Sequence, residues 1–138
     1  MLPLTKAGAS FHAGRAMGKF HGVIGVQNDP TFGPVVMVGL GGVLIEVLED
    51  VAFRLAPFGV DEARRMIAEL KGAKLFEGVR GAPPADVDAL AELLATISVF
   101  AASEAARIES VDLNPVRVLP KGQGVVALDA LIVPMEKT

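Results

Sequence analysis

Apolar residues fall into ordered patterns from Gly22 onward and into none before it. Residues 1–21 (MLPLTKAGASFHAGRAMGKFH) follow neither a two-residue nor a 3.6-residue period and are rich in Gly, Ala and basic side chains, which marks an N-terminal arm of undetermined structure ahead of a domain at 22–138. Gly22–Gln27 reads as a strand closed by the turn Asn28-Asp29-Pro30. Val35–Leu40 is an unbroken apolar run between Pro34 and Gly41-Gly42, the pattern of a buried strand. Val43–Leu48 and Val51–Ala56 flank Glu49-Asp50 like the two arms of a hairpin. Ala63, Met66, Ile67 and Leu70 then recur at helical spacing, with Asp61 placed to cap, Gly72 to stop, and Arg65 and Glu69 to pair on the solvent side. After KLFEGVRGAPP, Asp86 is placed to cap a second helix. Its apolar face is Val87, Leu90, Ala91, Leu94, Ile97 and Ala101. Continued to about Arg107 it would be roughly 30 Å long. Ile108–Val111, Val116–Leu119 and Val125–Val133 read as strands, the last two separated by the turn Pro120–Gly124. The order β-β-β-β-α-α-β-β predicts an α+β fold: an antiparallel or mixed sheet with both helices on one face.

Composition narrows the function. The 138 residues are 51% hydrophobic and 21% charged, with mean hydropathy +0.49, apolar enough to suggest surface meant for a partner or for self-association. The net charge is −3, and no basic block occurs, which argues against a nucleic-acid partner. Cysteine is absent, so disulfides, zinc thiolates and thiol catalysis are excluded; Trp and Tyr are absent too. No apolar run reaches membrane-spanning length and the N-terminus lacks a signal-peptide core, so a cytoplasmic protein is the default.

Three constellations can carry chemistry. Asp112 and Asn114 share a face of an extended segment, and a hairpin through the 120–124 turn would bring Asp129 nearly opposite Asn114. Oxygen donors of this kind suit Mg²⁺; spacing alone favours an Asn-Pro turn beside an exposed acid. Gly39-Leu40-Gly41-Gly42 with Glu46 offers close backbone approach and an acid in an apolar strand, or a plain tight turn with Glu46 in solvent. Arg80, between Gly78 and Gly81, is placed to fork onto phosphate oxygens, or to be a solvated loop arginine. Gly14–Lys19 is one residue short of a P-loop and is followed by Phe20 instead of Ser or Thr. His12 and His21 have no third histidine for a cluster.

Three blocks, DPTFGPVVMVGLGGVLIEVLEDVAFRLAPF, KLFEGVRGAPPADVDALAELL and SVDLNPVRVLPKGQGVVALDA, resemble in order and spacing the C-terminal half of the ATP-grasp domain of ADP-forming acyl-CoA synthetases, from about Gly22 to Ile132. The resemblance implies reversible conversion of acid, CoA and ATP into acyl-CoA, ADP and phosphate. In the family a phosphohistidine on a CoA-binding part carries the phosphoryl group. By that likeness Asp112, Asn114 and Asp129 would be Mg²⁺ ligands. Arg80 would face the transferred phosphate as a catalytic residue, and Gly41, Gly42 and Glu46 would match the family's GxGGxxxE block near the nucleotide. This sequence departs from the family at His21, where an acid is usual, and at Asn28, where a basic residue is usual. The upstream ATP-grasp half and the CoA-binding part have no counterpart in the 138 residues, so the isolated chain is expected to be inactive in the full reaction. The alternatives are a non-catalytic remnant or a self-associating module, which predicts homo-oligomers, and the ATP-grasp part of a related protein acyltransferase.

Overall fold

The computed structural model describes residues 21–40, 50–78, 81 and 83–136. β1 (His21–Asp29) and β2 (Gly33–Leu40) form a hairpin. Asp29 Oδ1 sets its turn by accepting the backbone N–H groups of Thr31 (2.7 Å) and Phe32 (3.0 Å). β3 (Val51–Leu55) pairs with β2, and helix α1 (Val60–Ala68) follows. After a short 3-10 turn at Ala73–Glu77 comes α2 (Val87–Ser103), which returns the chain to the long strand β4 (Ile108–Val118) beside β1. β5 (Val125–Ala127) and β6 (Ala130–Pro134) run along the other side of β4. Among the described residues every strand pairing is antiparallel, with the order β3-β2-β1-β4 and then β5 and β6, so of the two sheet types the sequence allowed the antiparallel one is realised there.

The alternation of side chains divides the sheet into two faces. Ile24, Val26, Val36, Val38, Ala52, Val111, Leu113 and Val116 are buried in one core with Met66 and Ile67 of α1 and Leu90, Leu94 and Ile97 of α2. Gly25, Met37, Phe53, Asp112 and Leu131 take the opposite face. β2 is therefore half-buried in alternation, not buried along its whole apolar run: Val36 and Val38 are in the core, while Val35 and Met37 are partly exposed. Among the described residues no helix is long and apolar enough to cross a membrane.

Several local expectations change. β1 begins at His21, one residue inside the anticipated arm. The cap of α1 is Gly59, without a side-chain bond; Asp61 instead sits in the first turn and accepts from Arg64 at 3.1 Å. α2 stops at Ser103, about 25 Å from its start. It stops there because the chain must turn into β4, and Asn28 Nδ2 fastens that turn by donating to the Ala105 carbonyl at 2.6 Å. The departure from the family at Asn28 thus has a structural use. Val51–Leu55 pairs with β2; its proposed hairpin partner, Val43–Leu48, lies outside the described residues. The expected single strand from Val125 to Val133 is broken at Leu128-Asp129. The 3-10 turn falls in a stretch read as a plain linker.

Arg65 and Glu69 do not pair. Arg54, on the helix side of β3, takes Glu69 through a two-pronged contact and Glu62 through Nε at 2.7 Å, while Arg65 bonds Glu62 at 2.9 Å. The bond from Arg54 holds both carboxyls below their ordinary value of 4.5. A depressed carboxyl stabilises the fold above its unfolded pKa, and the contribution is lost as pH falls through the folded pKa. Urea unfolding should therefore show the chain losing stability below about pH 4.5 more steeply than Arg54→Met. Between pH 6 and 8 the gap between the two should be flat. Parallel acid limbs for the two proteins would refute this role of Arg54.

Candidate functional site

β4 is the strand from which the site is built. Leu113 lies opposite Ile24, yet Val116 lies opposite Gly22, so Asn114 and Pro115 together face the single residue Val23. This β-bulge absorbs a proline, which has no N–H to give to the ladder, and lets Leu113 and Val116 both point into the core. Strict alternation would have sent Val116 to the face of Asp112 and Asn114. The Asn114–Pro115 peptide is cis.

On the other side of β4 the register runs Leu113↔Ala130 and Val116↔Ala127. The Asn114 N–H donates to the Asp129 carbonyl at 3.1 Å, and the Leu128 N–H to the Pro115 carbonyl at 2.9 Å. Asn114 and Asp129 are thus cross-strand neighbours, as the hairpin reading anticipated, and Asp112 follows two residues along β4, opposite Leu131 and Gly25. All three are exposed, and Asp112, in register with Gly25 and Leu131, belongs to the sheet face turned away from the helices. Asp129 Oδ1 accepts the N–H of Ala130 at 2.9 Å. Among the described residues no three His, Cys, Asp or Glu side chains cluster as a metal site, so the set has two carboxylates and one amide to offer. Hard oxygen donors in that number fit Mg²⁺, which commonly takes one or two carboxylates and fills its shell with phosphate oxygens and water.

Beside Asp112 the same face carries a shallow hollow of about 320 Å³, lined by Gly25, Gln27, Val35, Met37, Phe53 and Ser110. Its lining is mostly apolar with a few polar groups, a composition shared with small-molecule sites. A hollow of about 350 Å³ lies on the helix side, among Arg64, Phe76, Asp86, Asp88 and Lys121. There Arg64 is engaged by Asp61 and Asp88, and Asp86 by backbone N–H groups. At the far end of β1, His21 pairs across the ladder with Arg117, and burial, then the Arg117 charge, lowers its pKa. Gly41, Gly42, Glu46 and Arg80 lie outside the described residues. Sequence reasoning missed how Asp86 reaches the β4–β5 turn, because nothing local in the sequence links positions 86 and 124.

Comparison with known proteins bears on this arrangement. An ATP-grasp domain family matches residues 14–133. The beta subunit of ADP-forming acetate–CoA ligase II from Pyrococcus furiosus is 43% identical over 111 residues, 80% of this chain and 47% of that protein. The ADP-forming 4-hydroxybutyrate–CoA ligase of Nitrosopumilus maritimus is 46% identical over 110 residues, 80% of this chain and 16% of that protein. A solved Pyrococcus horikoshii protein superposes with a TM-score of 0.81 at 41% identity, covering 86% of this chain and 49% of the other. An acetyl-coenzyme A synthetase of Candidatus Korarchaeum cryptofilum, solved with coenzyme A and Mg-AMPPCP and with its phosphohistidine segment pointing towards the nucleotide binding site, gives a TM-score of 0.78 at 40% identity over 84% of this chain and 53% of that one. The chain therefore spans about half of the Pyrococcus subunit and less of the longer ligase.

Proposed function

The chain belongs to the ATP-grasp domain family, and on that premise we propose that it supplies the C-terminal half of the nucleotide- and Mg²⁺-binding domain of an ADP-forming acyl-CoA synthetase. The reaction would convert acid, CoA and ATP into acyl-CoA, ADP and phosphate. The observation that supports the reading is that Asn114 and Asp129 are joined by a backbone bond between neighbouring chain segments, with Asp112 two residues before Asn114 on β4 and beside an apolar hollow. Asp112, Asn114 and Asp129 would hold Mg²⁺, whose charge would offset that of the phosphates. Phosphoryl transfer asks the protein mainly for positioning and charge neutralisation, so a scaffold of fixed oxygen donors suits it. Arg80 would meet the transferred phosphate, and Gly41, Gly42 and Glu46 would line the nucleotide. The partners would be the ATP-grasp half that this chain does not span and a CoA-binding chain or domain bearing the phosphohistidine.

Phe53, Leu55 and Leu131, between 54% and 61% exposed, favour a second reading in which another copy of the chain covers this face and no chemistry follows. A chimera separates the two. The matching 47% of the Pyrococcus furiosus subunit is replaced by this chain and titrated with ADP with and without Mg²⁺. Binding within about tenfold of the parent, abolished by EDTA, is expected. A chimera that folds, by circular dichroism, yet binds no ADP overturns the proposal.

A further inference from the structure

The Asp86 carboxylate is 7% exposed and accepts three backbone N–H groups from two parts of the chain. Oδ1 takes that of Ala89 at 3.1 Å, which caps α2. Oδ2 takes those of Gly122 at 3.0 Å and Gly124 at 2.8 Å, both in the turn that joins β4 to β5. Backbone bonds reinforce the clasp: Asp86 N–H to the Leu119 carbonyl at 2.8 Å and Lys121 N–H to the Pro84 carbonyl at 2.8 Å. A cap needs only the first of these contacts; the other two act on a different element.

That element needs support. β5 has three residues, and its ladder to β4 is the three pairs Val118↔Val125, Arg117↔Val126 and Val116↔Ala127. So short a ladder is marginal alone. Gly122 and Gly124, at φ +88° and +90°, give the turn its shape but also the widest freedom when it is not held. Beyond the ladder come the Leu128–Pro115 and Asn114–Asp129 bonds. We infer that Asp86 is a positioning residue: by clamping the β4–β5 turn onto the start of α2, it keeps Asn114 and Asp129 opposite each other. Its consequence for metal and nucleotide rests on the function proposed above.

Asp86→Ser tests this, because serine keeps the helix cap and is too short to reach Gly122 and Gly124. In the full chain, amide exchange at Asn114 and Leu128 should quicken at least tenfold relative to β1–β2 amides such as Val36. In the chimera, the Mg²⁺-dependent Kd for ADP should rise about tenfold, as for loss of groups that support metal ligands. Asp86→Asn, which keeps one oxygen acceptor, should fall between serine and wild type. A Tm change in Asp86→Ser with Asn114 exchange and Kd both unaltered would reduce Asp86 to a cap and overturn the inference. If the wild-type chimera binds no ADP, the function proposal fails by itself, and the exchange arm alone decides whether Asp86 positions the strand.

Discussion

Replacing Asp129 by alanine is expected to weaken Mg²⁺-dependent ADP binding at least ~100-fold, the upper end of what a metal site loses with a supporting group. The expectation follows from ligand number. The described candidate set has two carboxylates, Asp112 and Asp129, and Mg²⁺ held by so few protein oxygens depends on each negative charge. The cost to the fold should be small, because Asp129 is exposed and, among the described residues, its side chain bonds the neighbouring Ala130 N–H. Surface changes of that kind stay within about 0.5 kcal/mol. Asp129→Asn keeps an oxygen and loses the charge, so its Kd should fall between the alanine variant and wild type. Glu109→Ala, an exposed acid on β4, the strand of Asp112, is the control and should bind ADP as wild type does. Calorimetry on the chimera reads all three. Asp129→Ala with an unchanged Kd and an intact Mg²⁺ requirement would remove Asp129 from the ligand set.

How far the sequence could be read depended on whether the deciding interaction was local. Ala63, Met66 and Ile67 of α1 and Leu90, Leu94 and Ile97 of α2 announced their buried faces by spacing, and the structure buries them. The cap at Asp86 was legible for the same reason: its partner is Ala89, three residues away. The pairing of Asn114 with Asp129 was legible once Pro120–Gly124 was read as a turn, since a hairpin fixes its own register. The bulge at Asn114-Pro115 was not. It depends on β4 lying against Gly22 and Ile24, which are about ninety residues upstream. Arg54 illustrates the same limit. Pairing of Arg65 with Glu69 was the local choice, but docking α1 on β3 puts Arg54 against both Glu62 and Glu69, and the less exposed guanidinium takes them. Alternation along β2 was hidden by composition, because Val35 and Met37 are apolar although they face away from the helices.

Leu113→Ala is expected to have the largest effect on stability, about 2–5 kcal/mol. Leu113 is fully buried, lies across from the equally buried Ile24, and belongs to the cluster that joins β1, β2 and β4 to α2. Truncation removes its transfer free energy and leaves a cavity that strands on both sides can only partly close. Against a total stability of about 5–15 kcal/mol, that loss is a large fraction. For a chain of this size it corresponds to a fall in Tm of roughly 7–17 °C. Leu131→Ala is the matched comparison. Leu131 lies opposite Asp112, the neighbour of Leu113, but on the other face and 61% exposed, so its truncation should cost under about 0.5 kcal/mol in the chain alone. Leu113 also sits between Asp112 and Asn114, so the core holds the segment that presents the oxygen donors. Urea unfolding of both variants measures the contrast directly. Equal costs, or a larger cost at Leu131, would mean that the two faces of the sheet have been assigned the wrong way round, and the oxygen donors would then lie on the side that packs against the helices.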